Sequence, residues 1–206
     1  MPGPVTHIAL TEKIFDRCFS GKVRKDFYIG TLFPDIRYLG FIDRSMTHYT
    51  DLTMAGIQSE DSFLAGLKFH SLVDITWRKY HPGNGLYASY SIPPNAGFVV
   101  KMAEDSFFYN YVDDWQAIIK FLDDILQHEK AFGMPVYILR TWHTLLQQYF
   151  KKQPGSSVIK SIAGGAGISK DLVEQTENLL PAMQKDQKVS KTLQNLFEKT
   201  VNLMLE

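Results

Sequence analysis

The stretch from Ser59 to Gly83 constrains the fold more than any other part of the chain, because an amphipathic helical pattern coincides there with ionisable residues. It reads SEDSFLAGLKFHSLVDITWRKYHPG. Ser59 is a suitable N-cap, acids follow in the first turn, and Pro82 with Gly83 is typical of a helix end. We therefore predict one helix of about six turns over this stretch.

The apolar face of this predicted helix carries two imidazoles and a carboxylate. Steps of three and four residues place six side chains on one stripe: Phe63, Leu67, His70, Asp74, Trp77 and His81. Burying a carboxylate with two imidazoles is costly unless a partner compensates them. A divalent metal would compensate all three, whereas an isolated His-Asp pair at this spacing is often only a hydrogen bond.

Helical patterns also account for most of the remaining chain, so we predict an all-α fold. Apolar residues recur at helical spacing in residues 6–19, 23–33, 98–112, 115–132, 135–152, 156–162, 169–184 and 189–205. The glycine- and proline-rich segment 82–97 interrupts this pattern and is predicted to be a surface loop near the candidate ligands. A length of 206 residues is right for one domain, which we place at residues 1–206.

Charge and cysteine content exclude two kinds of site. The formal net charge is zero and the pI is about 7.0, so we expect no nucleic-acid partner held by a basic surface. Cys18 is the only cysteine, which rules out an intrachain disulfide and a thiolate metal cluster. Any metal must therefore be held by histidine and carboxylate side chains.

The sequence also bears on membranes and compartment. No apolar run approaches the ~18 residues of a membrane span, so we expect no transmembrane segment. The first residues lack the basic and apolar regions of a signal peptide, and the expected location is the cytoplasm. Export by a route that needs no signal peptide stays open.

Five motifs in a fixed order resemble those of the zinc-dependent phospholipase C family: THIAL, GTLFPDIRYLG, THY, LKFHSLVDITW and HPG. The sequence is most similar to the phospholipase C/D-like branch, which includes the N-terminal domain of glycosylphosphatidylinositol-specific phospholipase D. The family's all-helical fold is shared with single-strand-specific zinc nucleases. The resemblance covers residues 4–105, and residues 113–206 add only predicted helices.

The resemblance implies zinc ions in a cleft between helices, with one expected in this chain and a second possible. The ligands of the central ion would be Asp35, His48, His70 and Asp74. A second ion would be held by His7 and bridged to the first by Asp74. Secreted members also use the free amine of the mature chain here, and this sequence has no signal peptide to expose one.

The resemblance also implies a third site, for which this sequence is incomplete. His81 and Glu104 match two of its ligands, but Val100 stands where the family has a histidine. We therefore predict that this site is weak or empty. A His143 and Gln147 pair farther along the chain is a weaker candidate substitute.

These residue types suit metal-assisted hydrolysis of a lipid or small-molecule phosphodiester. A metal ion lowers the pKa of water and offsets charge on the phosphoryl oxygens. Asp35 and Asp74 would be the catalytic carboxylates, with Asp35 as the base implied by the resemblance. Three tyrosines are candidates to bind substrate, against a packing role for each: Tyr49, Tyr87 and Tyr90.

Two alternatives stay open on the sequence alone. A degenerate relative could keep zinc as a structural element and act as a binding protein. A zinc-dependent nuclease is compatible with the fold but is disfavoured by the balanced charge.

Overall fold

The computed structural model describes residues 2–90, 92, 97–165 and 167–206, which form helices and turns without a strand. The helices are α1 Pro4–Cys18, α2 Arg24–Leu32, α3 Met54–Gln58, α4 Ser62–Tyr80, α5 Gly97–Phe108, α6 Trp115–Phe121, α7 Gln127–Lys130, α8 Val136–Phe150, α9 Ser156–Ile162, α10 Lys170–Lys185 and α11 Gln187–Leu205. Short 3-10 segments are Phe33–Leu39, Arg44–Met46, Gly83–Tyr90 and Tyr109–Tyr111. The all-α prediction is confirmed. No helix in the described part of the chain is both long and apolar enough to cross a membrane.

The central helix α4 is shorter than predicted at both ends. Asp61 is its N-cap, and the Asp61 carboxylate accepts a hydrogen bond from the Leu64 N–H at 2.9 Å. Ser59 instead ends α3, so the prediction that it caps the long helix is wrong. His81 follows the last turn with extended backbone angles, so it lies outside the helix, although its ring stays beside Trp77 at a centroid distance of 6.3 Å.

Two other segments differ from the sequence prediction. The segment 82–97 contains 3-10 turns that bury Leu86 and Tyr87, because these two apolar side chains have a core to pack against. Residues 91 and 93–96 of that predicted loop lie outside the described residues. The single helix predicted over 115–132 is split into α6 and α7, where Glu129 accepts a hydrogen bond from the Leu126 N–H at the start of α7.

One hydrophobic cluster joins the two halves of the chain into a single domain. Its buried members extend from Val5 in α1 to Met204 in α11, and the C-terminal helix α11 packs against α1 and α4. The helices beyond the phospholipase-like motifs therefore share a core with the segments that carry the candidate ligands.

Helices α2 and α4 pack backbone to backbone, and this contact positions the candidate site. A Cβ atom on Gly30 would lie closer than 3.0 Å to the carbonyl oxygen of Phe63, and one on Gly66 would be equally close to that of Phe27. The helices can touch because both positions lack a side chain. The approach brings His70 of α4 beside the end of α2.

The first turn of α1 is held by a buried carboxylate from α5. Asp105 accepts hydrogen bonds from the N–H groups of Val5 and Thr6 at 3.2 and 2.9 Å, and from the Thr6 hydroxyl at 2.7 Å. The Tyr149 hydroxyl donates a fourth at 2.9 Å. Burial raises the pKa of Asp105 to about 6 despite these donors. The anchored turn carries His7, the next residue of α1, into the interior.

Candidate metal centre

Five predicted ligands come together from four segments. His7 lies in α1, Asp35 in the 3-10 segment after α2, His48 in the loop before α3, and His70 with Asp74 in α4. Two groups of donor atoms lie within 4.8 Å of one another: one from His7, His70 and Asp74, the other from Asp35, His48 and His70. Either group could hold a metal ion.

The centre is buried. The exposed fractions are 1% for His7, 2% for His70, 3% for Asp74 and 8% for Asp35. The rings of His7 and His70 are stacked with centroids 3.9 Å apart, and His48 meets His70 edge to face at 5.1 Å. His70 thus contacts both other imidazoles, and these rings would repel one another if they were protonated.

The imidazole nitrogens that face the centre have no hydrogen-bond partner among the described residues. Nδ1 of His70 hydrogen-bonds the carbonyl oxygen of Thr31 at 2.9 Å, which places a proton on Nδ1 and a lone pair on Nε2. Nδ1 of His48 lies 3.0 Å from the Thr47 hydroxyl, and because that hydroxyl donates to the carbonyl oxygen of Pro34 at 3.4 Å, its oxygen accepts the hydrogen bond from Nδ1. Nε2 of His70, Nε2 of His48 and both nitrogens of His7 are left buried and unpaired. A cation would satisfy Nε2 of His70, Nε2 of His48 and one nitrogen of His7, whose other nitrogen carries the proton. The hydrogen-bonded second ring nitrogen of His70 and His48 is typical of metal-binding histidines.

The two carboxylate oxygens of Asp74 face different histidines. Oδ1 lies 3.6 Å from Nε2 of His7, and Oδ2 lies 3.6 Å from Nε2 of His48. His70 has only one free nitrogen, so it can bind one ion at a time. The donors therefore suit one ion on Asp35, His48 and His70, and a second, with fewer protein ligands, on His7.

The protonation states also suit a metal. Burial and the charge of Arg44 lower the pKa of His48 to about 4, and burial and His7 lower that of His70 to about 3. Burial alone would raise the pKa of Asp74, but the nearby His7, His70 and Arg44 hold it well below its ordinary value. Neutral imidazoles and an ionised carboxylate are the forms that bind metal ions.

Comparisons of the chain with known protein families, with curated protein sequences and with solved structures gave no match. The family assignment thus stays a resemblance of motifs. An all-helical domain with buried His and Asp groups that could hold a metal ion is what the structure establishes.

Three cations beside the centre were missed by the sequence analysis. Nη2 of Arg44 donates to Oδ2 of Asp74 at 3.1 Å, and Nη2 of Arg37 lies 3.8 Å from Oδ1 of Asp35. Burial raises the pKa of Asp35, but the charges of Lys101, His70 and His7 together more than offset this, so the pKa of Asp35 lies below its ordinary value. The sequence signal was the position of both arginines between two predicted ligands and of Lys101 directly after Val100.

The predicted third site contains a hydrogen-bonded pair. Nε2 of His81 lies 2.8 Å from Oε1 of Glu104, which also accepts a hydrogen bond from the Tyr87 hydroxyl at 2.9 Å. Nδ1 of His81 accepts from the N–H of Gly83 at 2.9 Å. Within the described ranges no third metal-ligating side chain joins His81 and Glu104.

The three tyrosines predicted to bind substrate lie in different surroundings. Tyr87 is buried, and its hydroxyl donates a hydrogen bond to the carboxylate of Glu104. The hydroxyl of Tyr90 donates to the carboxylate of Asp186 at 2.7 Å. Tyr49 packs against the core, and its backbone N–H donates a hydrogen bond to the hydroxyl oxygen of Ser71 at 3.1 Å. A role in substrate binding stays a prediction for each of them.

The weaker candidate pair of His143 and Gln147 serves the packing of α8. His143 is buried between the carboxylate of Glu129 at 2.7 Å and the carbonyl oxygen of Leu122 at 3.0 Å. The amide of Gln147 donates to the carbonyl oxygen of Ile119 at 3.1 Å. Both ring nitrogens of His143 are therefore already paired.

Acid is expected to destabilise the metal-free protein through His48. Its folded pKa of about 4 lies below the ordinary 6.5, so the unfolded chain binds a proton between these values while the folded protein does not. The contribution of neutral His48 to the free energy of unfolding is complete above pH 6.5 and is lost as the pH falls towards 4. The total loss is about a few kcal/mol. Denaturant unfolding of metal-free protein at pH values from 7.5 to 4.5 measures the free energy of unfolding.

The matched variant for this measurement is His48→Gln, which cannot titrate. Asp105 acts in the opposite direction, since its raised pKa favours the folded state as the pH falls below about 6. The difference between wild type and His48→Gln cancels this shared contribution. The same pH dependence in both proteins would contradict the prediction.

Proposed function

We propose that this protein is a zinc-dependent phosphodiester hydrolase of the phospholipase C type, acting on a lipid or small-molecule phosphodiester. The observation that carries the proposal is the set of buried, unpaired nitrogens of His7, His48 and His70 facing the carboxylates of Asp35 and Asp74. Imidazole and carboxylate without thiolate are ligands found at catalytic zinc sites. The ordered motifs of the sequence point to the same chemistry.

The proposed ligands divide between two ions that share one carboxylate. Asp35, His48, His70 and Asp74 would hold the first zinc, and His7 with Asp74 would hold a second. Zinc bound there would supply Lewis acidity and a water of lowered pKa. The two oxygens of Asp74 already face different histidines, as a bridging carboxylate requires.

The protein's own side chains would accept the proton that the attacking water releases. Asp35 is the more exposed of the two carboxylates, and its lowered pKa keeps it ionised at neutral pH. We assign to Asp35 the role of accepting the proton of the attacking water. The hydrogen bond from Arg44 fixes the orientation of the Asp74 carboxylate.

Zinc-loaded protein is expected to hydrolyse bis(p-nitrophenyl) phosphate, and a chelator should stop the reaction. Asp35→Asn removes the proposed base and should lower kcat by about 100-fold or more, as is usual for loss of a general base. Release of nitrophenolate gives the rate, and zinc content is measured on the same samples. His128→Gln, at a half-exposed position on α7, is the matched control and should leave both unchanged.

The proposal fails if zinc-loaded protein is inert towards lipid, nucleotide and generic phosphodiesters. That outcome would favour the alternative of a binding protein with a structural zinc. The near-complete burial of the donors and the hydrogen bond from Arg44 to Asp74 are the features that favour this alternative. A structural ion would still stabilise the protein, but it would keep no position open for water.

A further inference from the structure

A tyrosine hydroxyl and two cations meet beside Asp35. Nη2 of Arg37 donates to Oη of Tyr38 at 2.7 Å, and Nζ of Lys101 donates to the same oxygen at 3.1 Å. Nη2 of Arg37 also lies 3.8 Å from Oδ1 of Asp35. We call Arg37, Tyr38 and Lys101 the basic rim. It lies next to the candidate metal centre and includes none of the proposed ligands.

The basic rim offers hydrogen-bond donors for which the described residues provide no acceptor. Oη of Tyr38 already accepts two hydrogen bonds, so its own proton is free, and the residue is 52% exposed. Nε of Arg37 is buried without a partner. Lys101 has three N–H bonds, and its hydrogen bond to Tyr38 uses one of them. Unused donors on a partly exposed cationic surface fit an anion.

The balance of charges around Asp35 and Asp74 also favours an anionic ligand. In the metal-free protein the carboxylates of Asp35 and Asp74 face the cations Arg37, Arg44 and Lys101. A divalent ion held by the two carboxylates would offset their charge and leave three cations without counter-charges. An anion bound beside the ion would restore the balance, and guanidinium and ammonium groups are the usual protein partners of phosphate.

We propose that the basic rim binds the anionic phosphoryl oxygens of the phosphodiester beside the metal centre, which makes it the part of the site that selects charged diesters. This inference rests on the proposed function. Arg37 offers a planar fork, Lys101 a point charge and Tyr38 a neutral donor. Exposed Phe41 and Met46 lie in the next turns of the chain, so a lipid diester and a soluble one are both considered as sources of the phosphoryl group.

Calorimetric titration of inorganic phosphate into zinc-loaded protein tests the basic rim. Lys101→Gln should weaken phosphate binding about tenfold and Tyr38→Phe about threefold, because each removes a donor to a charged group. Lys101→Arg should restore most of the affinity. Lys160→Gln, on the exposed face of α9, is the matched control and should bind as wild type does. Zinc content should be the same in all of these variants.

Two further arms identify the source of the phosphoryl group. Dibutyl phosphate is the soluble diester, and phosphatidylglycerol in phosphatidylcholine vesicles is the lipid one. Weaker binding of Lys101→Gln in either arm supports the basic rim and shows which source it recognises. Equal binding of wild type, Lys101→Gln and Tyr38→Phe to phosphate and to both diesters would overturn the inference.

The experiments distinguish failure of the basic-rim inference from failure of the hydrolase proposal. Diesters that bind through Lys101 but are never cleaved would defeat the hydrolase proposal and leave the basic rim in place. Cleavage with the same KM in wild type and Lys101→Gln would support the hydrolase proposal and contradict the basic rim. The phosphate titration is repeated on metal-free protein, where Asp35 and Asp74 still neutralise the cations, so wild type should bind phosphate more weakly than when zinc-loaded and the difference from Lys101→Gln should shrink.

Discussion

Replacing His70 with alanine is expected to remove the bound metal. The first zinc loses a ligand from its group of Asp35, His48 and His70, and the second position keeps only His7 and Asp74, which are too few protein ligands to hold an ion alone. Wild-type protein should contain about one zinc per chain, or two when both positions fill. His7→Ala should retain the ion on Asp35, His48 and His70. Elemental analysis of the purified proteins counts the metal directly.

Stability should follow the metal content. A ligand that binds only the folded state stabilises it by about 4 kcal/mol when its free concentration is a thousand times Kd. Zinc should therefore raise the Tm of wild type strongly and that of His70→Ala hardly at all. Comparing the two proteins without metal separates this effect from the loss of the hydrogen bond between His70 and the Thr31 carbonyl oxygen.

His128→Ala is the control for a histidine outside the centre, and it should keep the metal and its effect on Tm. An unchanged zinc content in both His70→Ala and Asp74→Ala would contradict the assignment of the metal centre. A zinc content that falls in His70→Ala but not in Asp74→Ala would limit the site to Asp35, His48 and His70.

Replacing Gly66 with alanine is expected to lower the free energy of unfolding by about 3 kcal/mol, or roughly 6–12 °C in Tm. The added Cβ would lie closer than 3.0 Å to the backbone carbonyl oxygen of Phe27, and a backbone atom cannot rotate away as a side chain can. Helices α2 and α4 would have to separate. Because His70 is oriented by a carbonyl of α2, the affinity for metal should also fall.

Gly21→Ala is the matched control, because a Cβ there meets nothing within 4 Å. Its Tm and its zinc content should equal those of wild type. Thermal unfolding gives the first measurement, and zinc titration against a competing chelator gives the second. A Gly66→Ala protein as stable as Gly21→Ala would show that the contact between α2 and α4 is looser than the structure has it.

The helices that the sequence predicted well are those with local signals at both ends. Ser156–Ile162 matches the predicted range, and α10 and α11 begin and end within a few residues of prediction. Helix α4 begins later because two acceptable caps, Ser59 and Asp61, lie close together and the sequence does not rank them. At the start of α7, Glu129 is buried between the Leu126 N–H and His143, and the pairing with His143 is a tertiary contact that the local sequence does not show.

The candidate ligands were predictable to different degrees. His70 and Asp74 are four residues apart, so any helix places them on one face. Bringing His7, Asp35 and His48 to the same point needed the resemblance of motifs, since no local rule joins residues so distant in the chain. Arg37, Arg44 and Lys101 were missed because a charged residue between two ligands can equally well face solvent.

The sequence by itself determined the helical class, the stripe on α4 and the absence of thiolate ligands, because periodicity and composition are properties of the chain alone. Only the tertiary structure decided that three imidazoles and two carboxylates share one buried space, that His81 pairs with Glu104, and that a basic rim flanks Asp35. Those distances depend on how closely α2 and α4 approach at Gly30 and Gly66, and on the anchoring of α1 by Asp105. Packing between distant segments sets such distances, and no local pattern encodes it.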